Sequence, residues 1–464
     1  MIGGLRKSAS RLAIAATAGL FVGGLGLPTA KAADLGGDCC ADLEERVAEL
    51  EATTARKGNR KMSLTITGQV HRIITFWDDG LRSGTYVGLD NTNSSSRFGF
   101  LGSAKVTPNV TVGFDILIEI EAGGTSSKVN QFDEDGKVGS QIGGPGSFNA
   151  SNVDSYFGDA RRVTAFIEHK QLGRLTVGRQ ETAGVVNTID LGGVGAIASS
   201  SSVLLNGGFY MTDKFGNTGA IKWGNLGDPA ASQGRQEGLR YDSPSLAGFI
   251  LSASVNEAAN SWGAMLRYAG EFSGVRVAAG IGWERVRDFA TLATIAGPTP
   301  KNDPGLDAWG GSLAFMHVPT GLFLQGHYMA VDFNAGGLSG YWGQANTNRK
   351  DANQWMVQGG IAKNWFGLGN TVLYGEYIQN NDWGAGTGAG INYTTAGFAT
   401  TTGLTDTGMR IWGLGIVQNL DAAATEIYLG YRNYNVNEFV ASGVDLSNNL
   451  NDFHQVTGGM RVKF

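Results

Sequence analysis

From Met62 to Phe464 the side chains alternate between apolar and polar in stretches of about ten residues, and this period of two constrains the fold more than any other feature. The cleanest stretch runs from Arg276 to Glu284. There Val277, Ala279, Ile281 and Trp283 alternate with Arg276, Ala278, Gly280, Gly282 and Glu284. Residues 261–272 repeat the pattern, with Trp262, Ala264, Leu266, Tyr268 and Phe272 set against Ser261, Arg267 and Glu271. So do residues 354–363, where Trp355, Val357 and Ile361 oppose Gln354, Gln358 and Ala362. Each stretch reads as a strand whose two faces meet different solvents.

The connections sort into two kinds. Short turns fall at 107–109, 171–173, 243–248, 273–274, 318–321, 366–369 and 421–424. Between them lie longer polar segments at 78–95, 122–155, 182–234, 257–260, 285–305, 331–351, 382–405 and 436–452. Seven turns alternating with eight loops require sixteen strands; the fourth loop is short, which leaves 14 or 18 as alternatives. A sandwich or propeller would alternate too, but would not segregate short and long connections to opposite ends. An antiparallel transmembrane β-barrel does, with its short turns at the periplasmic end.

Composition agrees. Glycine occurs 72 times against 9 prolines, and charged residues are 17%, below the quarter usual in soluble domains. Mean hydropathy is only −0.10, and no segment after residue 32 approaches the twenty apolar residues of a membrane helix. Residues 1–32 read as a signal peptide: Arg6, Lys7 and Arg11 precede the apolar run 12–27, and Ala30-Lys31-Ala32 is a small-x-small cleavage site. Its removal takes away four bases and no acids, turning a net charge of −5 into −9 and arguing against nucleic acid as a partner. Two adjacent cysteines, Cys39 and Cys40, exclude a disulfide framework. Residues 33–60 form a periplasmic segment whose Leu43, Val47, Leu50 and Thr54 make one helical seam. That seam suits a linker helix or a short coiled coil.

The chain ends on FHQVTGGMRVKF, with Val462, Met460 and Val456 on one face and Lys463, Arg461, Thr457 and Gln455 on the other. In a closed barrel (61–464) this last strand pairs with the first, because an open edge in lipid leaves backbone groups unsatisfied. Phe464 is then an interfacial aromatic at the periplasmic rim. Arg72 departs from the pattern, since alternation from Leu64 and Ile66 aims it at lipid. A bulge near Gly68 or a subunit interface would account for it.

The signal peptide, residues 42–80 (DLEERVAELEATTARKGNRKMSLTITGQVHRIITFWDDG), SSRFGFLGSAKVTP (95–108) and the terminal MRVKF together resemble the alphaproteobacterial porins. The resemblance implies a homotrimer of sixteen-stranded barrels in the outer membrane, passing small hydrophilic solutes passively. It also implies that the terminal Phe464 is read by the outer-membrane barrel assembly machinery, and that loop 182–234, which follows the fifth strand, folds inward as the constriction.

Sixteen strands enclose an aqueous channel, and its narrowest point and charge set what passes. Asp190, Asp213 and Asp228 in the loop are candidates for negative charge at the eyelet. Parity places Arg97 and Lys105 on the second strand, Arg162 on the fourth and Arg174 on the fifth on the lumen side facing them. Bases opposite carboxylates set up a transverse field that orients dipolar solutes.

No enzyme is indicated. The histidines His71, His169, His317, His327 and His454 show no metal-ligand spacing, and neither a GxSxG elbow nor a Walker loop is present. No cofactor is implied. QFDEDGKVG (131–139) lacks calcium-loop spacing and reads as an exposed acidic loop suited to weak contact with divalent cations or lipopolysaccharide. The alternative function is a barrel whose long loops serve adhesion, or a substrate-selective channel. Aromatics fall mainly on the apolar face, which favours general diffusion over a sugar track.

Overall fold

The computed structural model describes residues 62–120, 124–132, 157–227, 234–256, 261–287, 305–333, 351–385, 404–441 and 443–464. The segment read as a signal peptide, Cys39 and Cys40, the stretch 41–57 expected to be helical, most of the segment 131–139 and Asp228 lie outside them. The strands are β1 (Ser63–Asp78), β2 (Ser83–Asp90), β3 (Arg97–Thr107), β4 (Val110–Ile120), β5 (Phe157–His169), β6 (Gly173–Glu181) and β7 (Tyr210–Thr212). They continue as β8 (Thr218–Lys222), β9 (Arg235–Asp242), β10 (Phe249–Asn256), β11 (Ser261–Phe272), β12 (Val275–Arg287), β13 (Gly305–His317) and β14 (Leu322–Phe333). Last come β15 (Ala352–Lys363), β16 (Thr371–Asn381), β17 (Leu404–Leu420), β18 (Thr425–Ala441), β19 (Val444–Asp445) and β20 (Phe453–Lys463).

Sixteen places close into one antiparallel barrel: β1, β3 to β6, β9 to β18 and β20, with β20 returning to β1. β2 prolongs the place of β3, pairing the upper part of β1, and β19 is a spur on β18. All seven short turns lie at one end, as the sequence predicts, and the count resolves to sixteen. β7 and β8 form a separate hairpin inside the segment joining β6 to β9.

The seam is regular. β1 and β20 pair without a shift from Gln69 opposite Lys463 to Asp78 opposite His454. Below that, the Gly68 amide donates to Phe464 O at 2.9 Å and the Phe464 amide donates to Gly68 O at 3.0 Å. A Cβ on Gly68 would stand 2.4 Å from the Phe464 ring, so glycine is what admits the terminal aromatic. Every residue added to this pairing removes backbone groups from lipid, where each unsatisfied one costs several kcal/mol. Alternation therefore holds through Gly68, and the bulge reading for Arg72 is corrected. Arg72 faces outward between Val70 and Ile74, opposite Met460 on one side and Asp90 on the other.

The outward face is the apolar one. Leu175, Val177, Leu251, Ile281, Leu324 and Val357 are each at least 45% exposed. Toward the long-loop end this face carries an aromatic row, with Trp309 on Tyr328 (5.3 Å), Trp355 on Tyr377 (5.2 Å) and Trp412 on Tyr431 (5.2 Å). Amphipathic rings of this kind mark a membrane interface.

The segment after β6 turns into the barrel and lines its inside from β10 round to β1. Ala183 N–H donates to Ser254 Oγ (2.7 Å), Ile189 N–H to Ser312 Oγ (2.9 Å) and Leu191 N–H to Gln325 Oε1 (3.0 Å). Further on, Gln455 Nε2 donates to Leu205 O (2.9 Å) and Asn91 Nδ2 to Ala196 O (2.9 Å). The approach is close enough that a Cβ on Gly282 would lie 2.0 Å from Gly184 O. Val194, Ile197, Val203, Leu205, Phe209 and Trp223 of the loop share a buried cluster with Trp77, Met356, Ile378, Tyr428, Tyr434 and Phe453 of the wall. Ordering backbone costs about 1–2 kcal/mol per residue, and apolar burial of this extent is what offsets it. Phe209 bridges the seam from inside, its ring 5.1 Å from Trp77 of β1 and 4.9 Å from Phe453 of β20.

Candidate functional site

With the loop seated on β10 to β18, β20 and β1, the lumen stays open along β4, β5, β6 and β9. A polar trough of about 370 Å³ lies there, lined by Asp115, Arg162, Thr164, Arg174, Thr176, Gln180, Glu181, Arg240, Asp242 and Arg267. Strand parity supplies nearly all of these. On β4, Asp115 and Glu119 alternate with Phe114, Ile116 and Ile118, and on β9 Arg240 and Asp242 alternate with Leu239 and Tyr241.

A bulge adds one base more. Leu117 pairs with Arg162 and Ile118 with Ala160, leaving Arg161 without an opposite residue. Arg161 and Arg162, neighbours in sequence, both reach carboxylates of β4: Arg161 Nη1 is 2.8 Å from Glu119, and Arg162 Nε is 2.9 Å from Asp115. Such an insertion breaks alternation locally and brings two consecutive side chains to one face.

The charges are interleaved along the wall. Glu181 stands 3.8 Å from Arg162 and 3.2 Å from Arg235, and Asp242 takes Arg240 at 2.9 Å and Arg267 at 3.0 Å. Arg240 Nη1 also donates to Glu181 O at 3.0 Å, clamping the root of the inward loop to the wall. Arg97, opposite Glu119, is within electrostatic reach of Arg161, Arg235 and Arg461. The carboxylates that face the bases therefore come from strands β4, β6 and β9 as well as from any loop residue, an arrangement the sequence reading missed although parity marks Asp115 and Asp242.

The structure brings Arg162 and Arg174 into the trough and sets Arg97 above it. Lys105 shares the inward face, opposite Thr111 near the short-turn end, roughly 26 Å along the strand from Arg97. Asp190 is exposed, and its carboxylate accepts from Gly193 N–H (2.8 Å) and Gly195 N–H (2.6 Å) within its own turn. Gln325 Nε2 donates to it at 3.3 Å, tying that turn to β14. Asp213 is not brought to the trough. It is buried in the β7–β8 turn, where it accepts from Phe215 N–H (2.9 Å), Asn217 N–H (2.8 Å) and Asn217 Nδ2 (2.9 Å). A carboxylate satisfying that many donors is holding a turn.

Inward aromatics are more numerous than the sequence suggests: Trp77, Tyr374, Tyr428, Tyr434 and Phe453 all point inside. They lie beneath the loop, buried from water, and make no sugar-binding track. Among the described residues no group of histidine, cysteine and carboxylates is arranged to hold a metal ion.

A closed barrel with a greasy exterior and an open, charged trough defines a transmembrane channel of the outer-membrane type. A family profile described as Gram-negative porin matches residues 30–461, and the chain belongs to that family. It is an outer-membrane, passive diffusion channel. No curated protein sequence matches. Similar solved structures include an anion-selective porin from Comamonas acidovorans, at 13% identity and TM-score 0.49 over 87% of this chain and 100% of that one. Salmonella typhi OmpF in complex with daunomycin gives 13% and 0.48 over 87% and 98%, and the outer membrane channel DcaP of Acinetobacter baumannii 11% and 0.47 over 88% and 99%.

Proposed function

We propose that the protein is a general-diffusion porin in which small hydrophilic solutes and ions pass between the inward loop and the charged wall of β4, β5, β6 and β9. One observation carries this: the loop is fastened to the opposite wall, so the remaining passage is bounded by Arg162, Arg174, Asp115 and Glu181. Arg97, Arg162 and the exposed Asp190 are the residues assigned to the constriction, with Lys105 and Arg174, both near the short-turn end, contributing to the potential of the periplasmic side. Planar-bilayer recording tests the reading. Stepwise conductance is expected, and a sealed lumen would sink it.

The assembly proposed is a homotrimer seated on the outer face of β1 and β3 to β6. Among the described residues that face carries phenylalanine and aliphatic side chains, with Arg72 and Arg179 and, at the strand ends, Asp78 and His169, but no tryptophan or tyrosine, whereas β12 to β18 carry the interfacial aromatic row. Aromatic rings that anchor to headgroups are of no use where a neighbouring barrel replaces lipid. Membership of the alphaproteobacterial branch, export through the signal peptide at 1–32, and recognition of Phe464 by the assembly machinery complete the proposal. Contact with lipopolysaccharide through the acidic loop belongs to it as well.

A further inference from the structure

Each carboxylate of the trough is already engaged: Asp115 by Arg162, Glu181 by Arg162 and Arg235, Asp242 by Arg240 and Arg267. Arg174 is different. Its Nε donates to Thr176 Oγ1 at 3.3 Å, and its Cζ lies 3.7 Å from the centroid of the Phe166 ring. It makes no carboxylate contact among the described residues, yet it lines the open trough. Phe166 is buried, 8% exposed, and covers one face of the guanidinium. The ring at 3.7 Å and the Nε bond to Thr176 restrain the guanidinium and leave its terminal nitrogens to present a fork.

We infer that Arg174 is an anion-binding station, taking the carboxylate or phosphate oxygens of passing solutes in a bidentate contact, with the hydroxyls of Thr164 and Thr176 lining the same trough. The inference rests on the channel reading above and adds the class of solute. The station is distinct from the level of Arg97 and Glu119. On β6 it lies seven residues below Glu181, roughly 23 Å along the strand and next to the periplasmic turn. A cation meets carboxylates that already hold a base within 4 Å, while an anion meets a guanidinium with no carboxylate that close, although Glu168 and Asp242 stand opposite it on the two neighbouring strands. Weak binding of this kind raises occupancy without trapping the solute, the condition for selective conduction.

Single-channel recordings across a potassium chloride gradient test this with Arg174→Gln, Arg174→Lys, Phe166→Leu and Lys363→Gln. Lys363 sits on the outward face of β15 and controls for loss of one positive charge. Arg174→Gln is expected to lower the chloride-over-potassium permeability ratio about two- to three-fold, with smaller reductions for Arg174→Lys and Phe166→Leu. Lys363→Gln should match wild type. In liposome swelling, entry of gluconate and of inorganic phosphate should slow in Arg174→Gln while glucose entry is unchanged; slowing of one anion alone assigns the station to that chemistry. If Arg174→Gln behaves like Lys363→Gln in both assays, the station is refuted while the channel stands. Wild-type bilayers without conductance steps would refute the channel and the station together.

Discussion

The barrel has two inner walls built by the same rule. On β15 to β18 the inward positions hold Met356, Ile378, Met409, Ile411 and Tyr434 together with mutually bonded Gln354, Gln358, Glu376, Asn380 and Arg432, all nearly inaccessible beneath the loop. On β4 to β6 and β9 they hold Asp115, Arg162, Arg174, Arg240 and Asp242, open to the trough. Alternation decides which side of the sheet a residue occupies; it does not decide whether that side is wet. The loop makes the difference, and each wall carries the chemistry of what it meets.

The sharpest way to break this contrast is at the ion pair buried under the loop. Arg432 Nε and Nη2 approach Glu376 at 2.6 and 3.0 Å, and Arg432 Nη1 donates to Ser202 O of the loop at 3.4 Å. Glu376→Ala leaves a buried charge without its partner and is expected to cost about 3–5 kcal/mol. The loss should show as a lower unfolding midpoint in detergent and faster proteolysis within 182–227. A loss below about 1 kcal/mol would mean that this wall is as solvated as the other.

Asp190→Ala removes the acceptor for Gly193 and Gly195 and should loosen that turn by about 1–2 kcal/mol, seen as noisier open-channel current. Ion selectivity should change less than the noise, since the turn is the carboxylate's first partner. On the wet wall, Arg162→Ala leaves Asp115 and Glu181 less compensated and should move the reversal potential toward cation preference, roughly two-fold in permeability ratio. The smallest effect is expected at the half-exposed pair of Arg276 and Glu271, 2.9 Å apart, where Arg276→Ala should cost no more than about 0.2–1 kcal/mol by thermal melting.

The sixteen barrel strands, all seven short turns and the closure through Phe464 were legible because a period of two and turn residues are local signals, whereas β2, β7, β8 and β19 fall within segments read as loops. Arg97, Arg162 and Arg174 were legible by parity for the same reason, and Asp115 and Asp242 could have been added by the same rule. Arg161 was not, because its place depends on a one-residue insertion against β4 that local alternation does not reveal. The dry wall was also hidden: apolar residues on both faces of β16 look like noise until a loop distant in sequence is known to cover them. Asp213 misled because an acid in a long loop looks available. Its neighbours, Lys-Phe-Gly-Asn, instead mark the turn that consumes its oxygens.

The ring of Phe209 touches both the opening and the closing strand of the cylinder, and so does the polar contact beside it, where Gln455 Nε2 donates to Thr75 Oγ1 as well as to Leu205 O. Neither edge alone offers Phe209 a complete pocket. The join in the wall and the seat of the inward loop are thus halves of one lock, complete only when both ends of the cylinder have come together.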